Sequence, residues 1–131
     1  MPRVSAAFFA TGVVCVLAGM IYGMVMGATE NMTLAPAHAH LNLVGWVTMG
    51  LYGTFYALTR GTMSVRLAWI NYAISTVGVL IMIPALALFL HAGNDPKFVP
   101  FMVAGEGLTV LGMLVFAVAV LRELVRRRPA S

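Results

Sequence analysis

The sequence predicts an all-α integral membrane protein, built as an up-down bundle of four transmembrane helices. Of its 131 residues, 61% are hydrophobic and 9% are charged, and the mean hydropathy is +0.95. An ordinary soluble domain carries about 25% charged residues, so the composition argues against that class. Four apolar segments, each near the roughly 20 residues that cross the hydrocarbon core of a bilayer, fill most of the chain. This length predicts one domain, residues 1–131.

The four predicted helices are separated by short loops. Their apolar runs cover residues 5–27, 37–59, 67–92 and 100–122. The intervening stretches ATENMTLAP, RGTMSVR and GNDPKFVP concentrate the residue types that form turns, and short loops join antiparallel neighbours. The first run is longer than the roughly 7 to 15 apolar residues of a signal peptide, so it is interpreted as a membrane span. Pro84 is expected to kink the third helix.

Basic residues predict the orientation of the bundle, because Lys and Arg accumulate in the short cytoplasmic loops of membrane proteins. In a four-helix topology only Lys97 lies at one end, and the other cations share the opposite end: Arg3, Arg60, Arg66, Arg122, Arg126, Arg127 and Arg128. Both termini are therefore predicted to be cytoplasmic, in a bacterial inner membrane. The basic tail is expected to lie beside anionic headgroups, which explains the pI of 9.9 without nucleic acid as a partner.

Three histidines and one acid converge on the other end of the predicted bundle, at the outer face of the membrane. His38 and His40 lie in the first turns of the second helix, His91 in the last turns of the third, and Glu106 about two turns into the fourth. Ionisable groups within a membrane are costly unless paired, and they mark functional sites. The plainer interpretation is that each histidine hydrogen-bonds water or headgroups. Glu106 is expected to pair with His91 or to be a hydrogen-bonded, protonated acid.

The spacing of the first two histidines, in PAHAHLNLVGW, restricts what they can bind together. Pro36 suits the first position of a helix, and the positive end of the helix dipole keeps a nearby imidazole neutral, the form that ligates metals. Residues two apart are separated by about 200° around a helix. Either the first turn is distorted, or His38 and His40 serve two sites on different flanks of the helix.

The stretch HAHLNLVGWVTMGLYGTFYAL resembles the tenth transmembrane helix of haem-copper oxidase subunit I, especially its cbb3-type form. In that family the first histidine of the pair ligates the high-spin haem and the second ligates the low-spin haem. The resemblance implies haem b as the cofactor, bound by His38 and His40. It also implies a role for Asn42, one turn beyond His38, in hydrogen-bonding a ring nitrogen or a haem propionate.

The oxidase subunit has twelve helices in three arcs of four, with ligands on the second helix of an arc. This chain resembles one arc, so the resemblance implies a homotrimer in which His38 of one protomer and His40 of its neighbour clamp one haem. The copper site is incomplete, because the third helix has no His-His pair and only His91 resembles a copper ligand by location. Copper therefore stays a second candidate ion, and the resemblance does not imply oxygen reduction; whether the chain is an enzyme stays open.

Two functions follow from these residues. The first is a haem-binding membrane protein that transfers electrons or senses a diatomic gas or redox state, with an electron donor or a quinol as a candidate partner. The second is a small transporter or metal-handling protein in which His38, His40, His91 and Glu106 bind copper or zinc. The spacing alone leaves both open.

A stripe of glycines runs along the first helix. Gly19, Gly23 and Gly27 repeat every four residues, an arrangement that lets membrane helices approach closely. The sequence leaves open whether this stripe faces the second helix or another protomer.

Overall fold

The computed structural model describes residues 1–126, which form helices joined by short connections. Helix α1 spans Arg3–Thr29, α3 spans Val65–His91 and α4 spans Val99–Leu124. Helix α2 is continuous but consists of three segments, Ala35–His40, Leu41–Thr48 and Met49–Leu58. The prediction of four helices is confirmed. Three of them, α1, α3 and α4 with its preceding turn, are long and apolar enough to cross a membrane.

The middle segment of α2 is a π-helix, which the sequence did not predict. Over Leu41–Thr48 the helix widens, and the Thr48 hydroxyl donates a hydrogen bond to the Leu43 carbonyl oxygen at 2.9 Å. π-Helical turns are rare and occur often at functional sites. This one begins directly after His40, so the two histidines lie on a regular α-helical turn and Asn42 lies on the widened part.

Local side chains fix where helices begin and end. The Ser64 hydroxyl accepts a hydrogen bond from the Leu67 amide, which caps α3. Before α4, Asp95 accepts from the Lys97 amide at 3.0 Å and pairs with its ammonium at 2.8 Å. These hydrogen bonds lower the pKa of Asp95. Helix α3 continues through Pro84 to its end at His91, as membrane helices tolerate an internal proline, and the kink at Pro84 stays a prediction.

Helices α1 and α2 pack antiparallel, with a small residue at each close contact. A Cβ atom added to these glycines would meet the residue opposite, and the pairs are Gly12 with Trp46, Gly19 with Asn42, Gly23 with His38, Gly45 with Cys15 and Gly53 with Phe8. At Gly27 the same atom would meet nothing within 4 Å. The first two glycines of the predicted stripe therefore face α2, and the third does not.

Helices α3 and α4 approach even more closely. A Cβ atom at Gly105 would lie 2.5 Å from the Met82 backbone nitrogen, and one at Gly78 would lie 2.9 Å from the Thr109 nitrogen. One turn beyond Thr109, Gly112 faces the hydroxyl of Ser75. Because lipid tails are as apolar as leucine, such van der Waals contact is what holds membrane helices together.

An aromatic and polar core joins all four helices in the half of the bundle away from the histidines. The ring of Phe8 on α1 lies 5.5 Å from that of Tyr52 on α2 and 5.1 Å from that of Tyr72 on α3. Tyr52 also contacts Phe116 on α4, with ring centroids 4.5 Å apart. Asn71 is fully buried and donates to the Tyr56 hydroxyl at 3.2 Å.

The two ends of the bundle differ in charge, as the sequence predicted. Arg126 donates a hydrogen bond to the Thr62 carbonyl oxygen at 3.0 Å, which places the α2–α3 loop beside the end of α4. The up-down order brings the starts of α1 and α3 to this basic end. The histidines lie toward the opposite end, called here the histidine end. Arg127 and Arg128 lie outside the described residues.

We expect Gly105→Ala to lower the free energy of unfolding by about 1 to 3 kcal/mol, because the added Cβ would overpack against the backbone at Met82. Gly27→Ala on α1 is the control, since a Cβ there also meets nothing within 4 Å. It should be neutral or stabilising by up to about 1 kcal/mol, because alanine favours a helix over glycine. Denaturant unfolding in detergent micelles, followed by circular dichroism, measures both. Equal effects would contradict the close packing of α3 and α4.

Candidate functional site

His38 faces the interior of the bundle. Its ring is half-buried against α1, where a Cβ atom at Gly23 would lie 3.0 Å from its Cε1 atom. The Asn42 Nδ2 atom donates a hydrogen bond to Nε2 of His38 at 3.1 Å. This is one of the two roles that the sequence suggested for Asn42. Because Nε2 accepts, the ring proton lies on Nδ1.

The His38–Asn42 pair leaves two buried polar atoms without a partner among the described residues. They are Nδ1 of His38 and Oδ1 of Asn42, and Oδ1 lies against Gly19 of α1. Most buried polar atoms in proteins are hydrogen-bonded, so such atoms often indicate a water or ligand. Within one chain, however, Nε2 of His38 is already occupied by Asn42.

His40 has the opposite environment. Its ring is exposed, and Nδ1 donates a hydrogen bond of 2.8 Å to the carbonyl oxygen of Pro36, one turn earlier on α2. The neutral ring therefore carries its free lone pair on Nε2, which makes no hydrogen bond to a described residue. A metal-ligating histidine is usually oriented by a hydrogen bond that its other ring nitrogen donates to a backbone carbonyl.

The two rings thus occupy different flanks of α2, in agreement with the angle of about 200° that their spacing implies. The alternative of a distorted first turn is wrong, because Ala35–His40 is regular α-helix. Pro36 is the second helical residue rather than the first, since α2 begins at Ala35. A proline at the second position does not weaken the helix, because the backbone amide of that position also has no hydrogen-bond partner within the helix.

His91 lies apart from this pair, at the C-terminal end of α3. It is exposed and lines an open groove of about 480 Å³. The other lining residues come from the end of α1 and the following loop: Tyr22, Val25, Met26, Thr29, Asn31, Thr33 and Leu34. Neither His38 nor His40 lines this groove, so it does not join the three histidines.

Glu106 does not pair with His91, and that expectation is wrong. The side chain is exposed on α4, and within residues 1–126 no hydrogen bond or ion pair reaches it. The reason lies in the packing of α4 on α3. Gly105 and Gly112 face α3, and consecutive residues are about 100° apart on a helix, so Glu106 is turned away. The sequence contained this signal in the spacing of the two glycines.

The described residues do not form a metal cluster within one chain. In residues 1–126, no group of three or more His, Cys, Asp or Glu side chains is close enough to hold one metal ion. Sequence reasoning placed His38, His40, His91 and Glu106 at one end of the bundle, but it did not show that they meet. Of the His-x-His pair, a single chain therefore offers one outward ring, His40, and one inward ring, His38.

We expect Gly23→Ala to displace the His38 ring, since its Cβ would lie 3.0 Å from Cε1. Stability should fall by about 1 to 2 kcal/mol, and the imidazole nitrogen NMR signals of His38 should shift. Gly27→Ala is the control on the same helix, because its Cβ meets nothing within 4 Å. A Gly23→Ala protein with unchanged stability and unchanged His38 signals would contradict the seating of His38 against α1.

Comparison of the chain with family models, with curated proteins and with solved structures found no match. The assignment of function therefore depends on the residues of this chain and on the resemblance of its His-x-His helix.

Proposed function

We propose that this chain is a haem b-binding membrane protein of the haem-copper oxidase subunit I type, which transfers electrons or senses a diatomic gas or redox state. The haem is held by histidines of neighbouring protomers in a homotrimer. Both termini are cytoplasmic in a bacterial inner membrane, and the histidine end faces outward. The distribution of Lys and Arg supports this orientation.

The observation that carries the proposal is the arrangement of His40. Its hydrogen bond to the Pro36 carbonyl fixes the ring, and the free Nε2 belongs to an exposed side chain on the outer surface of α2. A histidine nitrogen on this flank can bind a group that is shared with another chain. Nε2 of His40 would therefore be one of the nitrogens that hold a haem iron.

His38 would supply the second histidine nitrogen to the iron on one condition. Asn42 must release Nε2, the nitrogen to which it now donates at 3.1 Å. The π-helical segment that carries Asn42 supports such a change, because π-helical turns occur often at functional sites. Asn42 is then a positioning residue, which sets whether His38 is free to bind.

Bound haem b would supply one-electron redox chemistry when two histidines hold its iron, and a position for a diatomic gas when one does. The residues of the chain have separate tasks. The Pro36 carbonyl orients His40, and Gly23 gives the His38 ring its space against α1. Leu43, which is 60% exposed one turn beyond His40, would give the site an apolar border on the α2 surface.

The purified protein, supplied with haem during expression, is expected to show a Soret band and split visible bands on reduction, as bis-histidine haem does. Absorption spectra of the oxidised and reduced protein measure this. The mass of the haem-loaded assembly, measured by native mass spectrometry, should correspond to three chains. A protein that stays colourless after haem supplementation would exclude the proposal.

We expect His38→Ala and His40→Ala each to abolish the bis-histidine spectrum, because each removes one axial ligand. His91→Ala is the control and should leave the spectrum unchanged, since its ring lies in a groove that neither of the other two histidines lines. Haem content and reduced spectra of the three variants are compared at equal protein concentration. If only His91→Ala removes the haem, a site within one chain replaces the site between protomers.

A further inference from the structure

Two ionisable side chains lie well inside a helix, away from its ends, and point out of the bundle. Among the histidines and charged residues of positions 1–126, only His40 and Glu106 lie more than one turn from a helix end, and both are exposed. The remaining ones lie in loops or within a turn of a helix end, where water and headgroups reach them. Ionisable groups at depth in a membrane face a protein interior or a partner rather than lipid. Residues 1–126 of one chain supply no partner for Glu106, so a partner from another molecule is expected.

The two side chains lie at similar depth. His40 is five residues past the start of α2 at Ala35, and Glu106 is seven residues past the start of α4 at Val99. With a rise of 1.5 Å per residue, both lie about 8 to 11 Å below the histidine end. Helices α2 and α4 also run in the same direction, because the bundle is up-down.

The surfaces below these two residues match in length and character. On α2 the exposed side chains on the same face as His40 are Leu43, Val47 and Leu51, and on α4 those on the same face as Glu106 are Val110, Met113 and Ala117. Beside each surface lies a glycine whose added Cβ would meet nothing within 4 Å, Gly50 on α2 and Gly107 on α4. Open glycines allow another helix to come close. We name these the His40 face and the Glu106 face.

We propose that the Glu106 face of one chain binds the His40 face of a second copy, with the Glu106 carboxyl hydrogen-bonded to Nε2 of His40. The charge complementarity of the two faces and their similar depth select a second copy as the occupant. One proton is shared by the pair. Either the protonated acid donates to Nε2 or the carboxylate accepts from the protonated ring, and the pair is neutral in both cases, as a membrane requires.

The contact joins two different faces, so it is heterologous. Each copy uses its α2 to bind one neighbour and its α4 to bind the other, and such contacts close into a ring when the rotation between copies allows it. The pair does not require the proposed cofactor. Iron bound at Nε2 of His40 would take the place of the carboxyl on that ring, so the contact is tested in haem-free protein.

Disulfide cross-linking in membranes tests the contact. The native cysteine is replaced by Cys15→Ser, which leaves no other thiol, and Leu43→Cys is combined with Val110→Cys in one chain. Both positions are 60% exposed, so the changes should not disturb folding. Mild oxidation should yield a ladder of covalent multimers that ends at the closed ring. Val47→Cys with Met113→Cys, one turn deeper, is a second pair that should give the same ladder.

The control pair combines Leu43→Cys with Leu80→Cys, which is 64% exposed on α3, outside the proposed contact. It should form no ladder. A ladder that appears equally with the control, or its absence with both test pairs, would overturn the proposal. Dimers formed by Val110→Cys alone would also overturn it, because they require α4 to face α4.

The polar pair is tested by Glu106→Gln and His40→Gln in the Leu43→Cys, Val110→Cys background of haem-free protein. Each should weaken association about 3- to 15-fold, the effect of one interhelical hydrogen bond in a membrane. The double variant should be no weaker than either single one, because both remove the same contact. If the double variant weakened association by the product of the two single effects, a direct pair would be contradicted. Since no haem is present, these outcomes are independent of the absorption spectrum that tests the cofactor.

Discussion

Close contact between helix backbones at glycine is the constraint on which the rest of this bundle depends. Within a bilayer there is no hydrophobic gain in bringing apolar helices together, so tight packing at small residues has to stabilise them. Gly105 brings α4 against the backbone of α3, and Gly19 and Gly23 bring α1 against α2. These contacts fix the rotation of each helix about its axis. The rotation, in turn, decides which polar residues are buried and which are exposed.

The two histidines of the His-x-His motif differ for this reason. Gly19 and Gly23 on α1 leave the space in which Asn42 and His38 lie inside the bundle. The two side chains are hydrogen-bonded to each other at 3.1 Å. His40 lies on the other flank, where only a backbone carbonyl of its own helix orients the ring. One motif thus supplies an inner pair and an outward ligand. A cofactor that uses both rings has to be shared between chains, which makes assembly a condition for function in the proposed haem protein.

The outward residues extend the same reasoning to α4. Packing of Gly105 and Gly112 on α3 turns Glu106 away from its own bundle. Its depth matches that of His40 on a parallel helix, so the two proposals concern one surface in two states. In the haem-free state a carboxyl of a neighbour satisfies Nε2 of His40, and in the loaded state iron would occupy that nitrogen. The association of chains and the binding of haem are then linked at a single ring atom.

The sequence by itself determined the four helices, their approximate limits and the collection of arginines at one end. Hydropathy and the positions of turn residues are enough for this, because a bilayer requires apolar spans of a set length. For His38 and His40 the sequence left two possibilities, a distorted first turn or rings on different flanks, and the regular helix Ala35–His40 decided for the second. The tertiary structure decided the π-helical segment at Leu41–Thr48 and the partner of the glycine stripe, and it showed Glu106 on the exposed face that the spacing of Gly105 and Gly112 indicates. Each of these depends on how one helix is rotated against another, and that rotation follows from contacts between residues far apart in the chain.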